Sequence, residues 1–119
     1  MADTDHTTQA RFEALYERFN ARDIDAVLAH LATDVDWPNG WEGGYIKGHD
    51  EVRAYWTRQW AEIDGTVTPE DFLTQPDGRI DVTVRQVVKN LDGELLEDGT
   101  VHHIYRLQDN VVEHMEIRK

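Results

Sequence analysis

The hydrophobic period of this chain changes once, and that change limits the folds open to it. In the first half, apolar residues recur every three to four positions. Phe12, Leu15, Tyr16 and Phe19 fall at i, i+3, i+4 and i+7, one face of a helix, with Thr7 or Thr8 placed to cap it. Asp23 reads as the N-cap of a second helix, with Ile24, Val27, Leu28 and Leu31 on the same spacing. Val35 to Trp37 reads as a short strand stopped by Pro38 and Gly40. Asp50 opens a third helix that turns Val52, Tyr55, Trp56, Trp60 and Ile63 inward.

From Val67 onward the period is two. Ile80, Val82 and Val84 alternate with Asp81, Thr83 and Arg85, and Val101, His103, Tyr105 and Leu107 alternate with His102, Ile104 and Arg106. Turn signals at Pro76-Asp77-Gly78, Asp92-Gly93 and Asp109-Asn110 join these strands into an antiparallel meander. Asp98-Gly99 is a further turn or, preferably, a bulge within a long strand. Glu94 to Asp98 reads as a solvated hairpin tip. Helices first and sheet after make an α+β arrangement.

The tryptophans add a second constraint. All four, Trp37, Trp41, Trp56 and Trp60, lie between Asp34 and Trp60, interleaved with Pro-Asn-Gly and Gly-Gly. Large rings are rarely spent on surface. Mixed with turn residues, they fit the wall and rim of a cavity as well as plain core.

Bulk properties remove several function classes. The 119 residues suit one domain, 1–119, with residues 1–7 expected as a flexible N-terminal tail. No cysteine is present, so there is no thiol nucleophile. The formal net charge of −12 disfavours nucleic acid and anionic membrane. No apolar run reaches the roughly 18 residues of a spanning helix, and the polar start MADTDHTTQA lacks a signal-peptide core, which points to the cytoplasm. His102, His103, His114, Asp36 and Glu113 are ligand types without a metal-site spacing, so no metal and no cofactor are expected.

Three stretches, FEALYERFNARDIDAVLAHLATDVDW, GHDEVRAYW and TVHHIYRLQDNVVEHMEI, resemble the nuclear transport factor two-like superfamily, in its branch of SnoaL-like polyketide cyclases and ketosteroid isomerase-related proteins. The resemblance implies a cone: a curved antiparallel sheet wrapped around three N-terminal helices, with an apolar pocket open at one end. It also implies a homodimer through the outer sheet face, here drawing on Ile104, Arg106 and His102. The superfold hosts isomerases, cyclases, hydratases, hydrolases and binders, so it does not name an activity.

Residue by residue, the resemblance is more pointed. Ketosteroid isomerases use an Asp base and an oxyanion hole of Tyr and protonated Asp. The gap-free register puts the base position at Asn39 and the oxyanion tyrosine at Leu15, with Tyr16 directed elsewhere. The protonated acid falls on His103. The steroid-isomerase mechanism is then unsupported, while His103 becomes an imidazole in an apolar cavity, able to act as base or donor. Asn39 is either a polar anchor of the wall or an Asx-turn residue. Phe19, Trp37, Trp56, Trp60, Val84, Val101, Tyr105 and Met115 complete a wall for a flat, largely apolar molecule. Two functions follow: a cofactor-free acid/base enzyme of the isomerase, cyclase or hydratase type, using His103 and Asn39, or a non-catalytic small-ligand-binding or scaffold domain.

Overall fold

The computed structural model describes residues 2–40 and 42–119; Trp41 lies outside the described residues. In chain order the elements are β1 (Ala2–Asp3), α1 (His6–Asn20), α2 (Ile24–Leu28), β2 (Leu31–Pro38), β3 (Tyr45–Lys47), α3 (Gly48–Glu62), β4 (Ile63–Thr74), β5 (Ile80–Asn90), β6 (Leu95–Gln108) and β7 (Val111–Arg118). Together they form an α+β cone whose curved sheet is not closed. No helix among the described residues is long and apolar enough to cross a membrane.

Sheet order is β1-β4-β5-β6-β7-β2-β3. Every neighbouring pair is antiparallel except β2–β7, which is parallel, so the expected antiparallel sheet is in fact mixed. The early strand β2 adds to the edge left by the last strand, which happens to run in its direction. Hairpin chemistry behaves as read. Asp109 and Asn110 both take positive φ, 52° and 68°, as a two-residue β6–β7 turn needs.

Several boundaries moved, each for a local reason. Residues 2–7 are not a free tail: Ala2 and Asp3 pair with Thr74 and Leu73, and Thr4 is buried. The α1 cap is Asp5, whose carboxylate accepts from Thr8 N at 3.3 Å, in place of Thr7 or Thr8. The second helix stops at Leu28; His30 N bonds Val27 O at 2.9 Å, tightening the last turn, and Leu31 opens β2. The third helix starts at Gly48, whose φ of 84° only glycine adopts cheaply, and Glu51 Oε1 accepts from Lys47 N at 3.0 Å. It ends at Glu62, which leaves Ile63 to β4.

The bulge sits elsewhere than expected. Val88 faces Glu97 and Lys89 faces Leu95, so the extra residue is Leu96, while Asp98 and Gly99 keep regular register opposite Val87 and Gln86. Register is unbroken from Gly99 to Tyr105, and alternation there is strict.

Inner-face residues build one core. Phe12, Tyr16, Val82, Val84, Tyr105 and Met115 are among its buried members. The amide of Asn20, the last residue of α1, makes two bonds to the Val67 backbone, donating to its carbonyl at 2.8 Å and accepting from its N–H at 3.0 Å. That clamp fixes where α1 lies on β4. Its outer face follows different rules. Ile104 is buried within the single chain, yet outside the core cluster. Around it run the ion pairs Arg79–Glu116 and Arg118–Glu116 and the contact of His102 Nδ1 with Asp81. Ile104 is therefore no exposed contact residue, which removes it from the expected dimer surface.

Candidate functional site

A cavity of about 850 Å³ opens between α3, the ends of β2 and the inner faces of β4 to β7. Aromatic rings make its wall, and they lock one another by edge-to-face contact. Phe19 meets Trp56 at 5.2 Å and Trp60 at 5.1 Å, and Trp37 meets Trp56 at 5.4 Å with an interplanar angle of 88°. Trp56 is fully buried and still lines the cavity, so it is core and wall at once. Trp60 is held from behind: the Arg22 guanidinium lies 4.7 Å above its ring and bonds Asp64 at 2.6 Å. Leu96, Glu97, Ile117 and Lys119 form an exposed rim.

His103 lines the buried part of this cavity, as strand alternation required, and His102 points to the outer face, where its Nδ1 lies 2.9 Å from Asp81 Oδ1. Behind His103 stands a pair of phenols. Tyr16 Oη is 2.7 Å from His103 Nδ1 and 2.7 Å from Tyr105 Oη, and all three side chains are buried. The Tyr16 ring also stacks on the imidazole at 5.8 Å. Burial pushes the His103 pKa down to about 4, with His102 adding to the shift, so the imidazole is neutral near pH 7. Burial likewise raises the pKa values of Tyr16 and Tyr105, so both stay protonated.

Three expected members of the wall lie elsewhere. Leu15 faces a small hollow with Phe12, His30 and Val112 on another side of α1. Helix neighbours are about 100° apart, and the residue that reaches the β6 histidine is Tyr16, which the gap-free register had turned away. Val84 is core, fully buried opposite Val101 and not on the cavity surface. Tyr105 sits behind His103 and shapes the site through Tyr16. Phe19, Trp37, Asn39, Trp56, Trp60, Val101, His103 and Met115 do meet in the cavity. Asn39 combines its two readings. It lines the cavity, but its Nδ2 donates to Glu42 at 2.9 Å and its Oδ1 accepts from Glu42 N at 2.7 Å, an Asx-type turn. Glu42 in turn is held by Arg58. Tyr55, Gln59 and Gln86 are lining groups that residue reasoning had not assigned to the site.

The model of the SnoaL-like domain matches residues 12–115. The chain belongs to that family. The SnoaL-like fold recurs among solved structures. An NTF2-like protein of unknown function from Burkholderia pseudomallei is 28% identical over 97% of this chain and 91% of its own, with a TM-score of 0.80. TerC, co-crystallised with polyporic acid, is 25% identical over 92% and 88%, also at 0.80. A Mycobacterium tuberculosis protein in complex with estradiol-17β-hemisuccinate shares the fold at 22% identity, over 85% and 84%, at 0.72. A search of curated proteins finds no match.

Proposed function

We propose that this SnoaL-like domain binds a flat, largely apolar organic molecule bearing an oxygen function, and carries out cofactor-free acid/base chemistry on it of the isomerase, cyclase or hydratase type. The observation that carries the reading is the neutral, buried His103 set in an aromatic cavity of about 850 Å³, a size suited to a drug-sized ligand. Rigid rings supply apolar contact and the imidazole supplies orientation. The fold supports the reading further, since TerC was crystallised with polyporic acid and the mycobacterial protein with estradiol-17β-hemisuccinate. The Asp-based steroid-isomerase mechanism stays unsupported, because the amide at position 39 takes up no proton at neutral pH and is committed to Glu42.

One observation favours a non-catalytic binding domain as the second reading. With Asn39 tied into its turn, His103 is, among the described residues, the buried polar side chain that the strands of the sheet's inner face still offer to a ligand. Tryptophan-fluorescence titration with aromatic ketones, followed by proton–deuterium exchange next to the carbonyl in D₂O, separates the two. Binding with exchange above background supports the enzyme, and binding without exchange supports the carrier. His103→Ala is expected to weaken binding about tenfold, the worth of one good hydrogen bond. Unchanged affinity would remove His103 from the site.

The proposal includes a homodimer through the outer face of β5, β6 and β7, with Arg106 and His102 as contact residues. Their exposure supports it: the Arg106 side chain is 56% and the His102 side chain 38% accessible in the single chain. A monomer mass by light scattering at micromolar concentration would overturn it.

A further inference from the structure

The geometry points to a fixed order of protons along Tyr105, Tyr16 and His103 that leaves His103 presenting an Nε2–H donor to the cavity, so that the site selects ligands whose buried end is an oxygen acceptor. The order of protons stands on the structure alone; the selection of ligand rests on the cavity reading above.

Three heavy atoms lie in a row, Tyr105 Oη, Tyr16 Oη and His103 Nδ1, with 2.7 Å between each neighbouring pair. Each short contact holds one proton. Three protons are available to the row if the imidazole is Nδ1-protonated, and two if it is Nε2-protonated. Burial keeps the ring neutral, so it carries one N–H.

Consider the Nδ1–H form first. Nδ1 then donates to Tyr16 Oη. The Tyr16–Tyr105 contact can use only one of the two hydroxyl protons, and the other is left over. Neither phenol has a further hydrogen-bond partner among the described residues, and Tyr105 is 1% and Tyr16 2% exposed. A buried polar hydrogen is orphaned whichever way the hydroxyls turn. In the Nε2–H form Tyr105 donates to Tyr16 and Tyr16 donates to Nδ1. Both hydroxyl protons are used. The remaining N–H sits on Nε2, which has no partner among the described residues on a ring that lines the cavity, where water or ligand can accept from it. The usual penalty for an orphaned buried donor favours the second form by about ten- to hundredfold.

His103 therefore meets a ligand oxygen as a hydrogen-bond donor through Nε2, the acid half of the proposed chemistry. Tyr16 is a positioning residue: it touches no ligand and sets which nitrogen carries the hydrogen. A ketone, enolate or quinone oxygen fits this end of the cavity. A group that can only donate leaves two hydrogens facing each other.

The test starts with the unliganded full chain, labelled with ¹⁵N, and long-range ¹H–¹⁵N imidazole spectra at pH 7. The His103 signals are those missing from His103→Leu. Expected is a pyrrole-type Nε2 and a pyridine-type Nδ1; the reverse pattern overturns the proton order. Tyr105→Phe should keep the pattern, since the Tyr16 hydroxyl still has Nδ1 to donate to. Tyr16→Phe should move the His103 Nδ1 signal, because the hydroxyl that donates to it is gone. An unmoved Nδ1 signal in a folded Tyr16→Phe chain would overturn the positioning role. The ligand arm compares 1-tetralone with tetralin, the same bicyclic skeleton without oxygen, by tryptophan quenching. The ketone should bind about tenfold tighter, a preference lost in His103→Leu. Equal binding overturns the selection of an acceptor. If neither binds while Nε2 is pyrrole-type, the cavity reading fails and the proton order stands.

Discussion

His102 and His103 are neighbours in sequence and live in different solvents. His103 faces an aromatic cavity and has two phenols behind it, and burial holds its pKa down to about 4. His102 faces outward, is 38% exposed in its side chain and pairs with Asp81 among a set of surface ions. The same imidazole is a fixed hydrogen-bonding group on one face of β6 and one partner in a partly exposed contact with Asp81 on the other. One step along a strand makes the difference, because the sheet separates core from water. The proposed function belongs to the face where a polar group has few alternatives.

The sharpest way to break this contrast is truncation on each side of the strand. Tyr105→Ala, on the inner face, should cost about 3–5 kcal/mol, the usual loss for a buried aromatic. It also removes the partner of Tyr16. Ile104→Ala, equally buried but on the outer face, where its strand partner Glu116 is ion-paired with Arg79 and Arg118, should cost about 2 kcal/mol. Denaturant midpoints read both. Equal losses would mean the outer face packs as tightly as the core.

Acid sharpens the same contrast. His103 has a folded pKa of about 4 against an ordinary 6.5, so between these values the unfolded chain binds more protons than the folded one. Stability therefore rises with pH through this window and falls on acidification from 6.5 to 4, by on the order of 3 kcal/mol from His103. His30 is shifted in the same direction by burial and by Arg11, and adds to the slope. His103→Asn should flatten most of the curve and His102→Asn should not. If the slope from pH 6.5 to 4 survives in His103→Asn, the buried imidazole is not its source.

How much of this was legible depends on whether a feature is local. Phe19, Trp37, Trp56 and Trp60 could be placed on the cavity because helical spacing and strand alternation, both local rules, turn them inward, and the family resemblance says that the inside holds a pocket. The inward turn of His103 followed from alternation as well, since the bulge fell at Leu96, clear of it. Tyr16 was misread because a helix converts a one-residue error in register into a different side of the axis, and Leu15 took its place. The parallel pairing of β2 with β7 joins strands some seventy residues apart, and nothing in either segment's pattern names its partner. Arg22 gave no signal either: its place over Trp60 depends on a left-handed backbone, φ 64°, just past α1. Asn39 showed both of its roles in sequence, and only geometry could say that its amide is spent on Glu42.

The smallest expected effect is the most exacting test of the comparison. His102 Nδ1 and Asp81 Oδ1 are 2.9 Å apart, with the Asp81 side chain 15% and the His102 side chain 38% exposed. A partly exposed contact of this kind gains little over hydration, so His102→Ala should cost less than about 1 kcal/mol. Affinity for a cavity ligand should stay within about twofold, since a surface change of this kind is worth about 0.5 kcal/mol at most at a distant site. Any dimer through this face should loosen, because His102 is one of its proposed contacts. A tenfold loss of ligand affinity in His102→Ala would show that the two faces of β6 communicate. The imidazole of His103 would then be steered from outside as well as by Tyr16, through the charge of the neighbour that already helps to lower its pKa.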